Sequence, residues 1–137
     1  MKNDFQMDWD IRQVNTLSVL GLAHLGDGVY ELLCRSYLCR NGDKKAGKLH
    51  QDTVKLVRAA AQARFAEAIL PHLTEEEQDF YRRGKNAHTH AAPKGATPQE
   101  YARATGLETL FGALYLMGQT QRLSELFTIG MEANYGL

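Results

Sequence analysis

The sequence has 137 residues, of which 44% are hydrophobic and 23% charged, and its formal net charge is zero. This length and composition predict a single globular domain over residues 1–137 that can bury its own core, and they exclude a disordered chain. A net charge of zero also argues against a nucleic-acid partner, unless charge is unevenly distributed along the chain.

The hydrophobic periodicity is helical throughout, which predicts an all-α fold. Thr16 is the expected cap of the first helix. Thr74 and Thr97 each begin a capping box, with a glutamate three residues later. One long loop is expected over residues 87–96. We expect five helical segments, the second with room for a break inside it, over residues 16–40, 46–69, 74–85, 97–117 and 121–133.

Cysteine usage and hydropathy predict a cytoplasmic protein with no membrane partner. Cys34 and Cys39 form neither a Cys-x-x-Cys pair nor a disulfide framework, and we recognise no signal peptide. The most apolar run, residues 17–33, contains His24, Asp27 and other polar residues that no membrane span would carry. We expect His24 to pack as an aromatic residue and Cys34 to be buried.

Charge is distributed in blocks along the chain. Residues 40–65 carry a net charge of +5 and residues 82–103 a net charge of +4, with an acidic segment over residues 66–81 between them. Two interpretations are open. The blocks are either a solvated surface of mixed charge, or two basic patches that meet in space and follow a phosphate backbone.

The first helix has two largely apolar faces, one with Leu22 and Leu25 and the opposite one with Tyr30 and Cys34. We expect it to pack on both, against the core and against a second surface. The helix contains three glycines, Gly21, Gly26 and Gly28, each of which lowers helix stability relative to alanine. Their presence suggests that another part of the protein packs close to the helix backbone.

Two helices each carry one acid among small or apolar side chains, Asp27 in the first and Glu108 in the fourth. A buried carboxylate needs a partner because its desolvation is costly. A structural ion pair with an arginine would meet this need, and so would joint binding of a hard divalent cation. Periodicity alone leaves both open.

Two runs of residues resemble conserved helices of the ribonuclease III catalytic domain. Residues 23–32, Ala-His-Leu-Gly-Asp-Gly-Val-Tyr-Glu-Leu, resemble its signature helix, and residues 104–116 resemble its second conserved helix. Asp27 falls on the signature carboxylate and Glu108 on the glutamate of the second motif. Residues 82–87, Arg-Arg-Gly-Lys-Asn-Ala, resemble a segment of the Mini-ribonuclease III branch, which lacks the double-stranded-RNA-binding domain. The resemblance covers about residues 7–131.

The resemblance implies a metal-dependent endoribonuclease that cleaves double-stranded RNA and leaves 5′-phosphate and 3′-hydroxyl ends. Asp27 and Glu108 would be the catalytic residues and would hold Mg²⁺, for which Mn²⁺ is an expected substitute. By analogy, the substrate would be precursor large-subunit ribosomal RNA, and the protein would be a homodimer paired through its first helix. The expected RNA-binding residues are Arg82, Arg83, Lys85, Asn86, Lys44, Lys45, Lys48 and His50.

The sequence departs from the family pattern at three places. Full-length members carry further acids where this chain has Leu20, Ala23 and Thr105, so a single cation is a simpler expectation than two. Glu31, one turn after Asp27, either replaces a lost acid or belongs to a surface ion pair.

Two alternatives to a nuclease are open. One is a non-catalytic double-stranded-RNA-binding helical dimer that has lost cleavage with the missing acids. The other is a structural helical interaction module. The loop histidines His88 and His90 are a poor metal site, and we expect them near RNA or exposed to solvent.

Overall fold

The computed structural model describes residues 2–41, 45–87 and 92–136. Within these ranges the chain forms seven α-helices, one 3₁₀ turn at Leu70–His72 and no β-strand, which confirms the all-α fold. No helix of the described ranges is long and apolar enough to cross a membrane. The helices are α1 (Ile11–Val14), α2 (Val19–Asn41), α3 (Ala46–Val57), α4 (Ala59–Ile69), α5 (Glu75–Lys85), α6 (Pro98–Leu116) and α7 (Thr120–Tyr135).

Local hydrogen bonds set the starts of α5 and α6 as predicted. The Glu77 amide donates to the Thr74 hydroxyl at 3.2 Å, and the Thr74 amide donates to the Glu77 carboxylate at 2.9 Å. Thr97 and Glu100 form the same reciprocal pair, at 3.1 and 3.0 Å. Each pair satisfies amide groups that have no partner inside the first helical turn, so the sequence alone locates these two helix starts.

The start of α2 differs from expectation, whereas the break allowed for in the second segment is present. Ser18 caps α2, since its Oγ accepts a bond from the Gly21 amide at 2.9 Å, whereas the Thr16 hydroxyl donates to a backbone carbonyl instead. The segment 46–69 is broken at Arg58, whose extended backbone (φ −65°, ψ 155°) separates α3 from α4. The break directs α4 towards the core.

α6 is the central helix, and it packs against α2, α4, α5 and α7. Nearly all of its side chains from Ala104 onwards are buried. A helix surrounded in this way must be apolar on every side rather than along one stripe. Beside it, the Tyr30 ring meets three others edge to face at centroid separations of 5.2 to 6.3 Å, those of Phe65, Phe111 and Phe127.

The faces of α2 differ from those expected from the sequence. His24 and Asp27 are exposed, so the expectation that His24 packs is wrong. Leu20 and Leu32 are also exposed, because α6 contacts α2 at its small residues and turns these leucines outwards. Cys34 is fully buried as expected, and burial raises the pKa of its thiol to about 12. The core stripe comprises Leu22, Ala23, Gly26, Tyr30, Cys34 and Leu38.

Candidate active site

Two glycines bring α2 and α6 into backbone contact. A Cβ atom on Gly26 would overlap the Glu108 carbonyl oxygen and lie 2.8 Å from the Gly112 amide nitrogen. A Cβ atom on Gly112 would in turn overlap the Leu22 carbonyl oxygen. Only glycine fits at either position. Close packing on the α2 backbone is therefore confirmed at Gly26, whereas a Cβ atom on Gly28 would meet no described atom within 4 Å.

The crossing places the side chains of Asp27 and Glu108 next to each other. Burial, then the charge of Asp27 and the hydrogen bond to it, raise the pKa of Glu108 to about 8, against an opposing hydrogen bond from Gln62. Two carboxyl groups that share a site resist losing both protons unless a positive charge joins them. A cation bound between the two carboxyl groups would therefore favour loss of the proton from Glu108.

Neither acid has an arginine or lysine partner among the described residues. The ion pairs in these ranges join other acids, such as Glu67 with Arg103 at 2.6 Å and Glu77 with Arg122 at 2.8 Å. The alternative of a structural ion pair at Asp27 or Glu108 therefore has no support.

Gln62 of α4 is a third polar residue at this place. It is 3% exposed, and its Nε2 donates to the Val57 carbonyl at 2.7 Å. It also lies near enough to Glu108 to lower the pKa of that carboxyl against the other contributions. Its Oε1 is buried without a hydrogen-bond partner in the described part of the chain. This residue is not among those predicted from the sequence. Its only signal was a single polar side chain inside the alanine run at residues 59–63.

Further acids do not join the pair. Within the described ranges, no three acidic, histidine or cysteine side chains form a group that could hold a metal. Leu20 and Ala23 carry no side-chain oxygen, and the Thr105 hydroxyl donates at 3.0 Å to a carbonyl one turn earlier. Glu31 pairs with Arg35 at 2.8 Å, which favours the ion-pair interpretation of that residue. One cation therefore remains the simpler expectation.

The donor set fits a hard divalent cation such as Mg²⁺, which prefers oxygen ligands and keeps several waters. Both acids present carboxylate oxygens, and the exposed Asp27 opens the pair to solvent on one side. Hydrogen-bond acceptors outnumber donors around the acidic pair. The Oε1 atom of Gln62 has no partner in the described part of the chain, and the pKa of Glu108 is raised.

The expected RNA contacts on α5 begin with two arginines that are already engaged. Arg82 and Arg83 both pair with Asp79. Arg83 also donates to the Asn15 side chain at 3.2 Å and lies 4.7 Å from the centre of the Phe80 ring. Arg83 is half-buried, and these contacts make it part of the packing of α5.

Lys85 and Asn86, at the end of α5, are exposed. Lys85 lines a groove with Gln99 and Arg103 near the start of α6, and it forms no ion pair with any described residue. Lys85 is thus the freest of the expected cations on α5.

Lys48 and His50 lie on α3, which packs against α2. Lys48 pairs with Asp52 at 3.0 Å, and His50 is exposed. His50 lines a groove with Arg35 of α2, which lies about 12 Å after Asp27 along that helix.

The remaining candidates lie before α3 or outside the described ranges. Lys45 is exposed directly before α3. Lys44, His88 and His90 lie outside the described residues, so their expected contacts stay predictions. The two basic segments pack on the two crossing helices, α3 on α2 and α5 on α6.

Comparison with known proteins finds relatives along most of the chain. A sequence model of the ribonuclease III domain matches residues 20–119. A Mini-ribonuclease 3 of Symbiobacterium thermophilum is 50% identical over 111 residues, which are 81% of this chain and 85% of that protein. A Mini-ribonuclease 3 of Clostridium tetani is 40% identical over 121 residues, 88% of this chain and 78% of that protein. A Fusobacterium nucleatum protein of known crystal structure matches with a TM-score of 0.78 and 31% identity, covering 87% of this chain and 91% of that one.

Proposed function

Because this chain belongs to the ribonuclease III family, we propose that it is a divalent-metal-dependent endoribonuclease that cleaves double-stranded RNA. The observation that carries the proposal is the contact between Asp27 and Glu108 where α2 crosses α6. The two acids come from the two runs that resemble the family's conserved helices, and neither has a structural ion pair among the described residues.

Asp27 and Glu108 would hold Mg²⁺, or Mn²⁺ in its place, through their carboxylate oxygens. When bound, such a cation supplies Lewis-acid stabilisation to the phosphate under attack. Glu108 must give up its proton to act as a ligand, and the raised pKa makes this loss dependent on the cation. Asp27 is exposed, so RNA in solution would have access to it. Hydrolysis would leave 5′-phosphate and 3′-hydroxyl ends.

A second copy of the chain is the proposed partner of α2. Three leucines in or just before this helix are exposed, namely Leu17, Leu20 and Leu32, at 38%, 41% and 57%. A Cβ atom on Gly28 would meet no described atom within 4 Å. An apolar surface of this kind on a small protein indicates an interface. Pairing through it would give a homodimer with one acidic pair for each strand of a duplex.

Polar and basic residues on α3 and α5 are the proposed RNA contacts. Proteins recognise double-stranded RNA mainly by its shape, phosphates and 2′-hydroxyls, so exposed cations and amides suit it. Lys85 and Asn86 at the end of α5 and Lys48 and His50 on α3 are exposed in this way. By the analogy drawn from the sequence motifs, we propose a role in the maturation of precursor large-subunit ribosomal RNA in the cytoplasm.

Incubation with a duplex RNA, in Mg²⁺ and separately in EDTA, tests the proposal. We expect strand cleavage in Mg²⁺ alone, and product ends that accept a 5′ label only after phosphatase treatment. A single strand of the same sequence, which should stay intact, is the control. Binding without cleavage would instead identify a non-catalytic RNA-binding dimer, and the absence of both would identify a structural interaction module.

A further inference from the structure

A groove with a volume of about 280 Å³ lies between the end of α5 and the start of α6. Three of its lining side chains carry hydrogen-bond donors, namely Lys85 of α5 and Gln99 and Arg103 of α6. The other two lining residues, Pro98 and Ala102, carry no polar side-chain atom. Among the described residues no acid lines this groove, so its chemistry favours a ligand that offers negative charge and hydrogen-bond acceptors.

The donors of this groove are largely unused within the protein. Arg103 is half-buried, and its Nη1 atom donates to the Glu67 carboxylate of α4 at 2.6 Å. A guanidinium carries five N–H donors, and the others of Arg103 have no partner in the described part of the chain. Lys85 and Gln99 are exposed, and neither side chain has a hydrogen-bond partner among the described residues. Most donors of the groove are therefore available to a ligand.

Two glycines at the contact between α5 and α6 hold the sides of the groove at a fixed separation. A Cβ atom on Gly84, the residue before Lys85, would lie 2.3 Å from the Thr109 Oγ1 atom. A Cβ atom on Gly106 would lie 2.7 Å from the Tyr81 carbonyl oxygen. Both distances are too short for a real contact, so only glycine fits at either position. The donors of the two helices are thus arranged before a ligand binds, which lowers the cost of binding.

The same helix contact limits the distance from the groove to the acidic pair. Gly84 directly precedes Lys85, and Thr109 directly follows Glu108. A Cβ atom on Gly84 would lie 2.7 Å from the Thr109 Cβ atom. With standard backbone dimensions, the Cα atoms of Lys85 and Glu108 are therefore within about 13 Å of each other. This separation corresponds to the length of a few nucleotides of a strand.

We propose that this groove binds the sugar-phosphate backbone of the RNA duplex, with Gln99 and Arg103 as contacts in addition to Lys85. This inference rests on the proposed function. Proteins recognise double-stranded RNA largely through its phosphates and 2′-hydroxyls. The cationic side chains of Lys85 and Arg103 suit phosphate. The amide of Gln99 both donates and accepts hydrogen bonds, as a 2′-hydroxyl does.

Binding of duplex RNA in EDTA, followed by fluorescence anisotropy at several salt concentrations, tests the proposal without cleavage. The first variant is Gln99→Glu, which adds an acid at the second residue of α6. We expect its Kd for the duplex to rise about five- to tenfold near 0.1 M salt, because the added charge opposes about one phosphate contact. The matched control is Gln121→Glu, at the exposed second residue of α7, where an acid favours the helix start equally. The control should bind the duplex as the wild type does.

A second pair of variants separates RNA contact from the ion pair that joins α4 to α6. Arg103→Gln and Glu67→Gln both break this ion pair, but only the first removes the guanidinium from the groove. Arg103→Gln should weaken duplex binding and lower the slope of log affinity against log salt by a little under one unit. Glu67→Gln should keep the wild-type slope, and Arg103→Lys, which retains the charge, should restore it. Equal losses of binding in Arg103→Gln and Glu67→Gln would assign Arg103 to stability and overturn its role as an RNA contact.

The outcomes distinguish this inference from the proposed function. Wild-type binding by both Gln99→Glu and Arg103→Gln, or an equal loss in Gln99→Glu and Gln121→Glu, would overturn the inference and leave the proposed function intact. A wild-type protein that binds no duplex RNA would refute the proposed function and the inference with it. Circular dichroism checks folding. If Arg103→Gln fails to fold, Gln99→Glu decides, because Gln99 is exposed and has no side-chain partner among the described residues.

Discussion

Gly26 of α2 and Gly112 of α6 touch through their backbones, and the two acids lie on either side of this contact. Asp27 follows Gly26 directly, and Glu108 precedes Gly112 by one helical turn. A side chain at Gly26 would overlap the Glu108 carbonyl oxygen. The separation of the two carboxyl groups is therefore set by how closely two glycine backbones approach.

Gly26→Ala should destabilise the protein and weaken its metal binding together. The added methyl group must push α2 away from α6, and overpacking of this kind costs about 1–3 kcal/mol. Urea denaturation and Mn²⁺ titration measure the two effects. Gly47→Ala is the control, because a Cβ atom there meets no described atom within 4 Å and alanine favours the helix by up to about 1 kcal/mol. Wild-type stability in Gly26→Ala would contradict the packing described above.

Asp27→Asn should lower the rate of duplex cleavage by several orders of magnitude and leave the fold intact. The substitution keeps the shape of the side chain but removes a charge that holds the cation, and the residue is exposed. Duplex binding should persist, because the basic residues are unchanged. Single-turnover cleavage and a gel-shift titration measure the two properties. Cleavage near the wild-type rate would show that the active site lies elsewhere.

Glu108→Gln should stabilise the metal-free protein near neutral pH. The pKa of Glu108 is raised from 4.5 to about 8 in the folded state, so folding takes up a proton between these values. The wild type therefore loses stability as pH rises from about 4.5 through 8, whereas the variant does not. We expect an advantage of at least about 1 kcal/mol at pH 8 in EDTA, since one pKa unit corresponds to about 1.4 kcal/mol. Urea denaturation should show this advantage at pH 8 and its disappearance near pH 4.

Replacing Arg82 and Lys85 together with alanine should weaken RNA binding and flatten its salt dependence. Both side chains are exposed, and each phosphate contact contributes a little under one unit to the slope of log affinity against log salt. Arg83 is left unchanged because its contacts with Asn15 and Phe80 make it part of the packing. Lys2→Ala, at an exposed terminal residue, is the control. An unchanged slope in the double variant would place the RNA on another surface.

Leu32→Glu should convert the proposed homodimer to a monomer and abolish efficient cleavage of both strands. Leu32 is 57% exposed on the outward side of α2, where a buried glutamate would oppose pairing. Analytical ultracentrifugation at micromolar concentration measures the change. Val54→Glu, at a residue 49% exposed on α3, should stay dimeric. A wild-type protein that is a fully active monomer would refute the proposed interface.

Several features of this fold follow from residues that are close in sequence. The capping boxes at Thr74 and Thr97 involve partners three residues apart, so the same short pattern that identifies them also forms the bonds. The start of α2 shows where this reasoning fails. Thr16 and Ser18 are both suitable caps, and the choice between them depends on where the chain leaves α1.

The sequence by itself determined the all-α fold class, the capped starts of α5 and α6, and the two runs that contain Asp27 and Glu108. Each of these depends on contacts or patterns within a few residues. Only the tertiary structure decided that Asp27 and Glu108 share one place, that Gln62 joins them, and that Arg83 turns inwards. These outcomes depend on which sides of α2, α4, α5 and α6 face one another. A backbone contact between Gly26 and Gly112 fixes the crossing of α2 and α6. Because glycine has no side chain, the hydrophobic periodicity of the sequence could not predict this contact.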